Sequence, residues 1–361
     1  NDGTDYTNPD YDPVRTHDGK TIPQTANTQV IVQGATVKRN VYGGGNKAPV
    51  TTSASVELIS GTVEGSAFAG GRMAPVNGTS TVNFPESPVA SSITIGSVFA
   101  GNDIANTTAA ASTANGVVTV KGHPHITNVF AGGNGDYDYD FDNHKVVAYG
   151  ETLSLCDLQK PNVNSGTVNV QMDSDPNGLI VNVYGGANAA DVTTNTTVNM
   201  TTGKVTNLFG GNNITGNING TATVNLVGGD VTNVFGGSNG DYGCNDGARY
   251  TDGDHAGEQL PTVANTIVNV DVPNDVTMGS ERNPISIYGG GNMAPVSNNI
   301  TLNVISGDAG EIFGGGRMAP VNGSSSIVFD DDYSGTIHNV FAGNDIANTQ
   351  AATENATGVV T

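Results

Sequence analysis

Two stretches of the sequence gather the residue types that hold a hard cation. Asp136, Asp138, Asp140 and Asp142 alternate with Tyr137, Tyr139 and Phe141 in the first, and Asp241, Asp246, Asp252 and Asp254 crowd the second. Calcium takes about six to eight oxygen ligands, often carboxylates, so Asp136, Asp138, Asp140, Asp142, Asp241, Asp252 and Asp254 are candidate Ca2+ ligands. Calcium is the one cofactor the sequence suggests. An acidic, solvated loop is the competing reading. Neither stretch has EF-hand spacing, and in Gly132-Gly133-Asn134-Gly135-Asp136 the Asp falls one place early for the glycine-rich nonapeptide calcium repeat.

The same stretches carry aromatic side chains among acceptors. Tyr137, Tyr139, Phe141, Tyr242 and Tyr250 suit stacking on a sugar or a protein partner, and suit packing back on the scaffold equally well. Cys156 and Cys244 lie one in each stretch. They form a disulfide between the stretches in an oxidising compartment, or stay as two thiols.

Catalytic constellations are harder to find. Arg72 and Arg317 hold equivalent places where a lyase base could sit, but other repeats have Asn or Asp there. His123, His125 and His144 have no nucleophile patterned with them, and no Ser elbow or zinc-binding helix motif occurs. The sequence therefore reads as a non-enzyme, with a polysaccharide lyase or hydrolase as the remote alternative.

Positioning such loops requires a scaffold, and the composition narrows it. The chain has 361 residues with 50 Gly and no Trp, and no window shows an apolar pattern at helical spacing. Almost no helix is expected. A net charge of -21 repels phosphate backbones, so nucleic acid is excluded as a partner on charge. No apolar run approaches the roughly 18 residues of a membrane span, so no membrane insertion is expected in this segment.

One motif, apolar-aromatic-small-Gly, recurs ten times, at Tyr42, Phe68, Phe99, Phe130, Tyr184, Phe209, Phe235, Tyr288, Phe313 and Phe341. Compact intervals between these aromatics run about 25–31 residues, the length of one solenoid coil. Upstream of the aromatic lies a period-two triplet such as Val168-Asn169-Val170, Val198-Asn199-Met200 or Leu302-Asn303-Val304, a strand with its flanking residues inward. A third short strand is expected around Pro49-Val50, Pro75-Val76, Pro295-Val296 and Pro320-Val321, where proline marks a bend or strand end. The glycines after the aromatic fit a corner, either with positive φ or with closely approaching backbones. The aromatics themselves read as a structural ladder, with a carbohydrate-stacking strip as the alternative.

The predicted fold is all-β: a right-handed parallel β-helix, or β-solenoid, with three short strands per coil. It forms a single domain over 1–361, interrupted by insertions at about 135–161 and 240–261. Arg72-Met73-Ala74-Pro75-Val76-Asn77-Gly78 returns at 317–323 and the run from Phe99 to Thr107 at 341–349, so a block of coils is duplicated. Residues 1–28 mirror part of the second insertion and 358–361 match 116–119. Both ends are thus expected to fall inside a repeat of a longer array.

Val-Tyr-Gly-Gly-Gly-Asn at 41–46, the Val-Phe-Gly-Gly corners and the Thr-Val-Asn strands resemble the repetitive parallel β-helix surface proteins of bacteria, adhesin-like proteins included, over nearly the whole chain. The resemblance implies a secreted or cell-surface location. It also implies a structural or adhesive role as stalk, filament or surface fibre, with contacts made by the insertions. Implied partners are the chain itself, by end-to-end or lateral stacking, or a host or environmental glycan or protein. A glycan-binding module is the alternative function.

Overall fold

The computed structural model describes residues 16–17, 20–21, 24–46, 48–86, 93–104, 114–136, 138–140, 145–148, 151–154, 160–175, 177–240, 258–273, 285–346 and 357–361. Among them every regular element is a strand, and none is a helix long and apolar enough to cross a membrane. Two parallel sheets of eleven strands each form the body. One begins with Thr25–Val32 and Val50–Leu58 and ends with Ser324–Ser334 and Thr357–Val360. The other runs from Ala35–Val37 to Ile337–Phe341. The chain alternates between them, so each strand pairs in parallel with its counterparts one coil before and one coil after. This is a parallel β-solenoid.

The period-two triplets set the register of the first sheet. Asn169 pairs with Asn199, Asn199 with Asn225, Asn225 with Asn269 and Asn269 with Asn303, and their apolar neighbours stay aligned alongside. Successive side chains on a strand point to opposite faces, so Val168 and Val170 enter the interior, fully buried, while Asn169 faces out. A single slip would exchange the two faces along the whole strand, which is why the pattern specifies register so strongly. The interior is an aliphatic stack, including Val82, Val118, Ile126, Ile180, Leu208 and Ile312.

The expected third strand is reduced to single bridges. Val50 meets Val76, Val163 meets Val192, Val192 meets Ile218, and Val296 meets both Val263 and Val321. The prolines explain the shortening: Pro75 and Pro320 accept through their carbonyls from Val50 and Val296, but have no N–H to extend a ladder. Small apolar clusters under these bridges close the third side.

The corner glycines are set by crowding. A Cβ on Gly237 would lie 2.8 Å from the nitrogen of Gly291, and one on Gly101 would lie 2.6 Å from that of Gly133. Stacked corners touch backbone to backbone there. Positive φ occurs at the opposite corner, where Gly203 (φ 105°) and Gly229 (φ 98°) carry the chain from one sheet to the other, and past the Gly pair at Gly135 (φ 68°) and Gly240 (φ 74°).

Within the first insertion, Asp138–Asp140, Lys145–Ala148 and Glu151–Ser154 form a small antiparallel sheet.

Candidate functional site

The recurring aromatic ends a strand of the second sheet, one residue past an interior position. Val183 belongs to the aliphatic core, so alternation turns Tyr184 to the outer face, into the nook made where the Gly corner bends away. Because coils repeat at strand spacing, the ten rings stack. Successive centroids lie 4.7–5.2 Å apart from Tyr42 to Phe341, with interplanar angles of 3–11°. Eight rings, Phe68 through Phe313, are buried, Tyr42 is partly so, and Phe341 is 43% exposed. Each inner ring has both faces covered by its neighbours. A sugar has no ring face to stack on.

Rows of asparagines flank the rings. On the strand side, Asn182 donates to Asn128, Asn207 to Asn182 and Asn233 to Asn207, each at 2.9 Å. On the corner side, four residues after each aromatic, Asn188 donates to Asn134, Asn213 to Asn188, Asn239 to Asn213 and Asn292 to Asn239, at 2.8–3.1 Å. Asn134 Nδ2 in turn donates to Asp103 Oδ1 at 3.2 Å. A carboxylate only accepts, so Asp103 fixes the sense of that row: every amide donates toward the lower-numbered coil. Arg317 takes the next place after Asn292, and Asp345 the one after that.

Tyrosine hydroxyls link the rings to the corner row two coils further on. Tyr42 donates to Asp103 Oδ2 at 2.6 Å and accepts from Asn40, and Tyr288 donates to Asp345 Oδ2 at 3.2 Å. Burial pushes the Tyr184 phenol well above its ordinary range, partly offset by a hydrogen bond with Asn239. Tyr288 is pushed up to about 12, first by burial and then by the charge of Asp345. Between the two rows, above Phe209 and Phe235, runs a trough of about 470 Å³. Its walls are Asn182, Asn207 and Asn233 on one side and Asn239, Asn292, Arg317 and Asp345 on the other. Asn292 is 7% exposed, and its Oδ1 is buried without a hydrogen-bond partner.

The residues singled out from sequence divide sharply. The side chains of Asp138, Tyr139 and Asp140, and the whole of Tyr137, Phe141, Asp142, His144, Cys156, Asp241, Tyr242, Cys244, Tyr250, Asp252 and Asp254, lie outside the described residues. Asp136 accepts from Asn188 Nδ2 at 3.3 Å, which joins it to the amide row. The inner ends of the two insertions meet: Lys160 Nζ lies 3.5 Å from Glu258 and donates to the Gly135 carbonyl at 2.9 Å. Arg317 stands at the trough end, beside Tyr288 and Asp345.

His123 Nδ1 sits 3.0 Å from Asp173 Oδ2. This hydrogen bond raises the imidazole pKa and lowers that of the carboxyl. The sequence Asp173-Ser174-Asp175-Pro176-Asn177-Gly178 has the spacing that begins a calcium loop. The twelfth position, where such a loop needs a bidentate Glu, is Tyr184 in the ring stack. Among the described residues no three His, Cys, Asp or Glu side chains converge as a cation site.

The amide rows are the functional feature that sequence reasoning missed. Their signal was an Asn at a constant offset from every second-sheet aromatic between Phe130 and Tyr288, on the corner side. No protein-family model matches the chain, and no curated protein or solved structure matches it either.

Proposed function

We propose that this chain is an extracellular structural or adhesive rod, a stalk or surface fibre rather than an enzyme, whose insertions make the contacts. The observation that supports this reading is the continuity of its axial ladders. Backbone strands, stacked rings and rows of amides all run coil to coil, so each coil is held by its neighbours in the manner of a one-dimensional array. Self-association end to end is part of the reading. The acidic insertions are proposed as Ca2+ sites on the same rod.

Electron microscopy of the purified chain over a range of concentrations, with calcium or a chelator, tests this. Rods that lengthen with concentration support the filament. Single short rods throughout, with no retention on glycan- or protein-coated surfaces, would sink both halves of the reading. A calcium-dependent rise in the melting midpoint assigns the cation, because binding to the native state alone stabilises it.

A further inference from the structure

We propose that the trough above Phe209 and Phe235 binds a neutral, hydroxyl-rich chain, an extended oligosaccharide laid along the solenoid axis. This goes beyond the rod reading, since a rod keeps its mechanical role with the trough empty. Four observations carry it.

The first is the unspent capacity of the amides. An Asn side chain offers two N–H donors and an oxygen with two lone pairs. Asn207 uses one N–H on Asn182 and one lone pair on Asn233, and Asn182 is engaged likewise with Asn128 and Asn207. Each keeps one donor and one acceptor, the pairing a sugar hydroxyl satisfies. These sites recur once per coil, at about 4.8 Å, close to the length of one pyranose unit.

The second is the unpartnered oxygen of Asn292. Tyrosine hydroxyls reach the corner-row residue two coils on: Tyr42 to Asp103, Tyr184 to Asn239, Tyr288 to Asp345. By the same rule Phe209 corresponds to Asn292, and Phe209 has no hydroxyl, so Asn292 lacks the phenol that Asn239 has. Its Oδ1, which in Asn239 accepts from the next amide of the row, is buried without a partner where Arg317 replaces that amide, beside a groove of about 470 Å³, and a buried unmet acceptor is costly. A ligand hydroxyl fits where the phenol is missing.

The third is charge. The trough's two charged side chains, Arg317 and Asp345, are opposite in sign and stand at one end. Their fields oppose, which favours neither an anionic nor a cationic chain. The fourth is the floor: the ring faces are taken up in the stack, so the chain is recognised by hydrogen bonding over ring edges.

The test titrates the full chain, labelled with nitrogen-15 at asparagine, with neutral hexasaccharides of β-1,4-glucose, β-1,4-mannose and α-1,4-glucose and with a hexauronate. Calorimetry and side-chain amide resonances are read together. At least one neutral chain is expected to bind with a Kd of about 1 mM or tighter and to shift the trough asparagines, with the uronate about tenfold weaker. Phe209→Tyr, which inserts the missing hydroxyl at a site built like those of Tyr184 and Tyr288, is expected to keep or raise the melting midpoint and to weaken binding about tenfold. Three results would each overturn the proposal: no neutral chain perturbing the trough asparagines, which leaves water as its only occupant; the uronate binding best; or binding unchanged by Phe209→Tyr, which places the sugar elsewhere. None of them bears on rod length, which microscopy reads separately.

Discussion

The interior of the solenoid and its outer aromatic seam are both ladders with the same period, yet they differ in kind. The interior is aliphatic, and its contacts have no direction; Val, Ile and Leu follow one another in any order down the stack. The seam is built from flat rings and amides, whose contacts depend on angle as well as distance. The interior makes each coil collapse. The seam fixes how one coil sits on the next.

That division is open to attack by substitution. Leu208 is fully buried in the interior, and Leu208→Ala is expected to cost about 2–5 kcal/mol by chemical denaturation, whereas Leu208→Ile, which keeps the volume, costs less than about 1.5 kcal/mol. Equal losses would mean the interior is as shape-specific as the seam. At the corner joining the two regions, Gly237→Ala sets a methyl 2.8 Å from the nitrogen of Gly291. It is expected to cost about 1–3 kcal/mol by forcing two coils apart, and an unchanged denaturation midpoint would remove the crowding argument. On the seam, Asn207→Ala deprives Asn182 and Asn233 of their partner. Both are part-exposed, so water makes good some of the loss and the expected cost is about 1 kcal/mol, with disturbance of Asn182 and Asn233 resonances while interior methyls stay in place.

The smallest effect is invisible at neutral pH. The folded chain holds the Tyr288 phenol at about 12, above its ordinary value of 10.0. A raised pKa in the folded state means that the contribution is complete below the unfolded value and is lost as pH climbs through the folded one. Stability should therefore fall between about pH 10 and 12 while tyrosinate absorbance rises, and Tyr288→Phe should remove that part of the decline.

Much of this fold could be read directly from the residues. Val168-Asn169-Val170 and its relatives align in the first sheet as alternation requires, because burial of one face leaves register no freedom. The third side was harder, since Val76, Val296 and Val321 look like strand residues until their neighbouring prolines are counted as missing donors. Of the two causes considered for the Gly corners, crowding holds at Gly101 and Gly237 and positive φ at Gly203 and Gly229 instead. Asn188 and Asn213 gave no hint of chemistry, because an amide row exists only once separate coils are stacked in register. The acidic and aromatic insertions stood out for the opposite reason: their composition is local and needs no register to be seen.

The corner row from Asn292 down to Asn134 has one further consequence. Five amides all donate the same way, toward Asp103, while the acceptor end faces the coil of Arg317. Their dipoles add as peptide dipoles do in a helix, positive toward the low-numbered coils, with an anion at that end and a cation at the other. The solenoid axis therefore has a polarity in its side chains as well as in its backbone: Asp103 and Arg317 close the row at unlike ends, and a row reversed in sense would point its donors away from the carboxylate that receives them.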